Sequence, residues 1–199
     1  SGNVLLKCKV TYAIKHMVDF LQKSGVVCEI NKEGVFISGK KSKLIFSPCF
    51  SKATQEVFKM NTRPWPGFPV GSLPSSIALF ALHGKNRKVL VNNWMYEDGI
   101  AYVYDLFKLG AEIKVFDTGY GNQKAEITSL KKLSESFPSD LETVSVKGVP
   151  VIEGTRAIIS YALSRRGETI IKDISPILRR SPNFISQIQA LGADIEIIE

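Results

Sequence analysis

The chain has 199 residues, 44% of them hydrophobic and 23% charged, with a formal net charge of +7. That is enough chain for a sizeable core, in the composition range of an ordinary globular protein. No apolar run reaches the roughly 20 residues that span a bilayer, which argues against a membrane partner, and no secretory signal pattern opens the chain. Ser1-Gly2 reads as a cleavage scar outside the fold. Three cysteines (Cys8, Cys28, Cys49), with no CxxC spacing, argue against a disulfide frame or a zinc site. Cys49 reads as a small buried hydrophobe rather than a reactive thiol, and a reducing cytoplasm is the expected compartment. Two distant histidines, His16 and His83, do not suggest a metal cluster. The positive charge suits an anionic partner, but it is scattered over KKSK (40–43), KNRK (85–88) and the pairs Arg165-Arg166 and Arg179-Arg180. Without interleaved aromatics this is a solvated basic surface, and nucleic acid is not the expected partner.

In chain order, VLLKCKV (4–10) predicts a strand, and Tyr12–Lys23 a helix with Ile14, Met17, Val18 and Leu21 on one face. Gly25 ends that helix. VVCEI (26–30) and VFISG (35–39) predict a hairpin turning at Asn31–Gly34, and KLIFSP (43–48) a further short strand. Lys52–Lys59 reads as an amphipathic turn. KMNTRPWPGFPV (59–70) is stiffened by Pro64, Pro66 and Pro69 and gives Trp65 and Phe68 to bury. It leads into a helix near Pro74–Leu82, a rigid approach to a helix N-terminus of the kind that builds small anion sites. A strand at Lys88–Val91, a helix near Ile100–Leu109 closed by Gly110, and strands AEIKVF and KAEITS follow. Residues 131–142 are polar and turn-rich. The last third predicts strand TVSVKG, extended VPVIEG, a helix at Thr155–Ser164, strand ETIIKD, a helix near Asn183–Leu191 and strand ADIEIIE.

The last third repeats the middle one. Gly67-Phe-Pro-Val70 corresponds to Gly148-Val-Pro-Val151 at an offset of 81, and Leu109-Gly-Ala-Glu-Ile113 to Leu191-Gly-Ala-Asp-Ile195 at 82. Lys23-Ser-Gly25-Val26 is a weaker copy of Lys108-Leu-Gly110-Ala111. The unit is strand, helix, strand, helix, strand, strand, used about three times (3–58, 59–130 and 143–199) with an incomplete first copy. An α/β domain of this kind turns its helices inward against one another and carries its sheets outside.

TRPWPGFPV before a helix, LGAEIKV, GVPVIEGTRAIISYAL, GETIIKD and ISQIQALGADIEIIE together resemble the enolpyruvyl transferases, and among them the UDP-N-acetylglucosamine 1-carboxyvinyltransferases. The likeness covers about residues 3–199 and is most specific at 62–70, 148–163 and 188–198. It implies an inside-out α/β barrel of three pseudo-symmetric repeats, the second (C-terminal) lobe of a two-lobed enzyme. The implied reaction moves the enolpyruvyl group of phosphoenolpyruvate to the 3′-hydroxyl of UDP-N-acetylglucosamine, the first committed step of peptidoglycan synthesis, without a cofactor. Addition and elimination need a base for the sugar hydroxyl, a proton donor for the methylene carbon, and cations for phosphate and carboxylate. The resemblance carries the last role to Arg156, in the substrate-binding set, and to Arg179, or Arg180 if the register slips by one; Tyr96 falls on an aromatic lining the sugar-nucleotide pocket. The lysine–asparagine pair and the cysteine loop of the family belong to the first lobe, and none of the three cysteines here takes that role. Two positions depart from the pattern. Gly71 stands where the family has its catalytic acidic residue, and Gly99 where it has an arginine, although Glu97 and Asp98 lie beside the latter. The implied lobe is thus inactive alone, or the chain is a catalytically degenerate relative that binds a sugar nucleotide or a protein partner.

Overall fold

In the computed structural model of the chain the described residues are 2–43, 57–64, 67–83, 88–93, 99–119, 123–128, 143–148 and 151–198. They divide into two compact units, Ser1–Phe58 and Lys59–Glu199.

In the first unit, strands β1 (Asn3–Lys7), β2 (Val27–Asn31) and β3 (Gly34–Ser38) form an antiparallel sheet in the order β1-β3-β2, with helix α1 (Tyr12–Lys23) between β1 and β2 in the chain. The Thr11 hydroxyl caps the helix by accepting from the Ile14 amide at 3.4 Å. Gly25, at φ 87°, ends it, and the Val26 amide reaches back to the Leu21 carbonyl at 2.9 Å. The apolar face of α1 (Ile14, Val18, Leu21) packs on Cys28, Val35 and Ile37. In the hairpin turn the Asn31 side chain accepts from the Glu33 and Gly34 amides, and Gly34 has φ 147°. A Cβ at Gly34 would collide with the Leu6 carbonyl oxygen, so only glycine fits. β1 is shorter than the predicted 4–10 because its partner β3 begins at Gly34, opposite Lys7, leaving residues 8–10 beyond the ladder.

The second unit is built on a four-stranded sheet, in the order β4-β5-β7-β6, of β4 (Val57–Asn61), β5 (Lys88–Asn93), β6 (Ile113–Asp117) and β7 (Gln123–Thr128). β4 corrects the turn expected over Lys52–Lys59; residues 52–56 lie outside the described residues, as do segment 131–142 and, beyond Lys43, the strand expected over 43–48. Register places Val89, Ile127 and Ile113 in one row and Val91, Ala125 and Val115 in the next, the two rows spaced by the two-residue period that keeps them on one face. Helix α2 (Leu73–His83) buries Leu73, Ile77, Ala78 and Phe80 to 1% exposure or less, which is why its sequence is apolar nearly all round. It packs against α4 (Ile152–Ala162), which also meets α3 (Tyr102–Lys108). This middle run, β4-α2-β5-α3-β6-β7, has the element order read from the repeat.

The last third begins with β8 (Val144–Val146) and β9 (Thr169–Ile171), paired in parallel. Gly148, at φ 79°, sits where a Cβ would strike the Asp173 carbonyl oxygen. Three expectations are corrected here. VPVIEG is not wholly extended: Val151 is the extended cap and α4 starts at Ile152, earlier than the predicted Thr155, so Glu153 enters the first turn, where a helix favours negative charge. A short helix, α5 (Ser175–Arg180), precedes α6 (Phe184–Ala190) and was not expected; six residues containing a proline and two arginines carry no readable period. ADIEIIE is not a strand over its described part. Ile195 packs on the cluster of Ile159, Ile177 and Ile185, while Ile197 and Ile198 are 55% and 71% exposed and no described strand pairs with them.

Candidate active site

The proline-rich lead-in closes on itself. Thr62 bridges Phe68, the Arg63 amide donates to the Phe68 carbonyl at 3.2 Å, and the Gly67 amide donates to the Pro64 carbonyl at 2.8 Å. Pro69 then caps a 3-10 turn, Val70–Ser72, whose last residue leads directly into α2. Gly71 lies exposed in that turn, with a φ outside the left-handed region, and a Cβ built on it meets nothing within 4 Å. The backbone therefore does not require glycine here. Gly99 is half-buried in the turn before α3, and Tyr96, Glu97, Asp98, Trp65 and Cys49 lie outside the described residues. Cys8 is exposed; Cys28 is buried, which pushes its thiol pKa up and makes it a poor nucleophile.

A charged cluster forms where the first turn of α4 meets the end of α5 and the start of α6. Arg156 donates from one terminal nitrogen to Glu153 Oε2 at 2.9 Å and from the other to Ser181 Oγ at 2.5 Å. Its guanidinium carbon lies 5.4 Å from the centre of the Phe184 ring, within cation–π range. Its Nε is buried without a hydrogen-bond partner. Arg180 Nε approaches Glu153 Oε1 at 4.0 Å. Arg179 is exposed; its charge acts on Asp173, whose carboxyl is held below its ordinary range first by the Ser175 hydroxyl and amide and then by Arg179 and Lys147. Of the two adjacent arginines read from the sequence, it is Arg180 that shares a carboxylate with Arg156. Sequence reasoning missed Glu153, Ser181 and Phe184. Glu153 was within reach, since an acid three residues before an arginine pairs with it once the helix starts early enough. Among the described residues no group of histidine, cysteine and acidic side chains could hold a metal.

The fold is that of the enolpyruvyl transferases. The structure superposes on the enolpyruvyl transferase NikO from Streptomyces tendae with a TM-score of 0.65 over 92% of this chain and 36% of that one, at 16% identity. No protein-family model matches the chain. In sequence it is similar to UDP-N-acetylglucosamine 1-carboxyvinyltransferase 2 of Streptococcus mutans, at 28% identity over 96% of this chain and 40% of that protein. It is likewise similar to the UDP-N-acetylglucosamine 1-carboxyvinyltransferases of Kosmotoga olearia (25% identity over 98% of this chain) and Corynebacterium efficiens (30% over 68%). The chain spans about 40% of the length of the first of these relatives, and the resemblance read from its motifs is thus to one part of such a protein.

Proposed function

We propose that the chain is the second lobe of a protein of the UDP-N-acetylglucosamine 1-carboxyvinyltransferase type. In this reading residues 3–199 form one domain of three repeats. It works with a first lobe in the cytoplasm, binding phosphoenolpyruvate and UDP-N-acetylglucosamine between the lobes, and has no turnover alone. The observation that carries the reading is similarity along 96% of the chain to such an enzyme, with Arg156 and Arg180 converging at the start of α4. In the proposed reaction the sugar 3′-hydroxyl gives its proton to a base and its oxygen adds to C2 of phosphoenolpyruvate as C3 takes a proton; the tetrahedral adduct then loses phosphate from C2 and a proton from C3, which restores the double bond. The two arginines supply planar donors for the phosphate or carboxylate. The proton donor comes from the other lobe.

A second reading is favoured by one specific observation. Gly71 stands in open space, so the fold accommodates a carboxylate there and the sequence does not provide one. Loss of a general base costs about 10²–10⁴-fold in rate, which fits a relative that binds a sugar nucleotide or a protein partner without turnover. The test is phosphate release by the two-lobed protein supplied with both substrates, alongside a calorimetric titration with UDP-N-acetylglucosamine. Phosphate release supports the transferase. Binding without release supports the degenerate relative, and neither release nor binding sinks the transferase and the sugar-nucleotide form of the second reading.

A further inference from the structure

Glu153 is the unexpected member of the cluster. A site that takes an anionic substrate on two arginines gains nothing in affinity from a carboxylate between them, yet Glu153 directs one oxygen at each: Oε2 to Arg156 at 2.9 Å and Oε1 to Arg180 at 4.0 Å. The three side chains differ in freedom. Arg156 is fixed by Ser181 and by the Phe184 ring and is 25% exposed, whereas Arg180 is 67% exposed. Glu153, 23% exposed on the first helical turn, keeps a solvent-facing side and can swing out without disturbing the backbone.

We propose that Glu153 is an internal counter-anion. In the free chain it holds Arg156 and Arg180 together, and a phosphate-bearing small molecule must displace it to be bound by both. The inference rests on the reading of the two arginines as an anion receptor. It makes Glu153 a device that weakens and gates that receptor. Arg156 is the fixed half of the receptor, and Arg180 is the arm that re-forms around the incoming anion. With Glu153 ionised the three groups sum to a charge of +1; with a neutral isostere they sum to +2. One unit charge about 5 Å away in a partly exposed site alters anion affinity by on the order of tenfold.

The experiment is calorimetric titration with inorganic phosphate at fixed ionic strength, using the 199-residue chain and its Glu153→Gln, Glu153→Asp and Arg156→Gln variants. Glu153→Gln should bind phosphate about tenfold more tightly, Glu153→Asp should stay near the unmodified chain, and Arg156→Gln should bind more weakly. Equal or weaker binding by Glu153→Gln, with Arg156→Gln still weakened, overturns the counter-anion and leaves the receptor standing. Phosphate affinity indifferent to Arg156→Gln, or no binding by any variant, overturns both. A measurement independent of the folding of any variant is the Glu153 carboxyl ¹³C resonance of the unmodified chain. It should move as phosphate saturates the site, and a resonance that stays fixed at saturation refutes displacement.

Discussion

Gly71→Asp tests directly whether the vacancy at the head of α2 is imposed by the fold. Three structural facts set the expectation: the added Cβ meets no atom within 4 Å, the backbone is not in the left-handed region, and the first turn of α2 has no acidic residue. Replacing a glycine whose backbone any residue can adopt stabilises by roughly 0.4–1 kcal/mol, because the unfolded chain has fewer conformations to lose. A carboxylate within a turn of a helix N-terminus adds about 0.3–1 kcal/mol. The sum, about 1 kcal/mol, raises the melting temperature of a chain of this size by about 2–4 °C. Thermal denaturation followed by circular dichroism measures it at neutral pH and again near pH 3. The dipole part should vanish at the lower pH, where the aspartate is protonated, and Gly71→Asn should keep only the part that comes from the unfolded state. A variant that melts several degrees lower at neutral pH would refute the reasoning, since it would mean that the turn needs glycine after all. In the two-lobed protein the same substitution should raise phosphate release if the missing carboxylate is what limits it.

Gly148→Ala should have the opposite effect. It forces an L side chain into φ 79° and against the Asp173 carbonyl oxygen, where the left-handed conformation alone costs about 1–2 kcal/mol. A urea titration should show an unfolding free energy lowered by that amount or more, and with it an earlier midpoint, whereas an unchanged midpoint would mean that the backbone between β8 and α4 relaxes freely. The tyrosines give a pH prediction. Burial pushes Tyr161 up to about 12 from an ordinary 10, against a smaller lowering by Arg165, and raises Tyr102 as well. A tyrosine is uncharged while protonated, so this stabilisation is complete below pH 10 and is lost as the pH climbs from there through about 12. Absorbance at the phenolate band should show Tyr102 and Tyr161 ionising only as the fold opens. Ionisation of these two buried tyrosines at pH 10 in the folded chain would contradict the packing.

Much of the fold was legible from short-range signals. Helix α1 came out at its predicted bounds because its apolar face, its cap at Thr11 and its stop at Gly25 all act within a few residues of one another. The hairpin around Asn31–Gly34 was legible for the same reason, and the order of the middle elements followed from apolar spacing and glycine stops within each segment. What failed depended on partners far away in sequence. Residues 8–10 looked like strand, but the ladder ends at Lys7 opposite Gly34, and beyond it the Cys8 amide donates to the carbonyl of Glu33 in the hairpin turn. Ala193–Ile198 has the alternation of a strand and its likeness to β6, but β6 is held by β7, and no described strand pairs with its counterpart. The site divides in the same way. Sequence alone determined that Arg156 lies on a helix and that a basic pair follows near residue 180. Only tertiary structure decided that Arg180 rather than Arg179 approaches Glu153, because adjacent residues on a helix lie about 100° apart and the packing of α5 against α4 chooses between them. The same packing brought Ser181 and Phe184 onto Arg156 across 25 and 28 residues of chain, a distance over which no sequence period speaks.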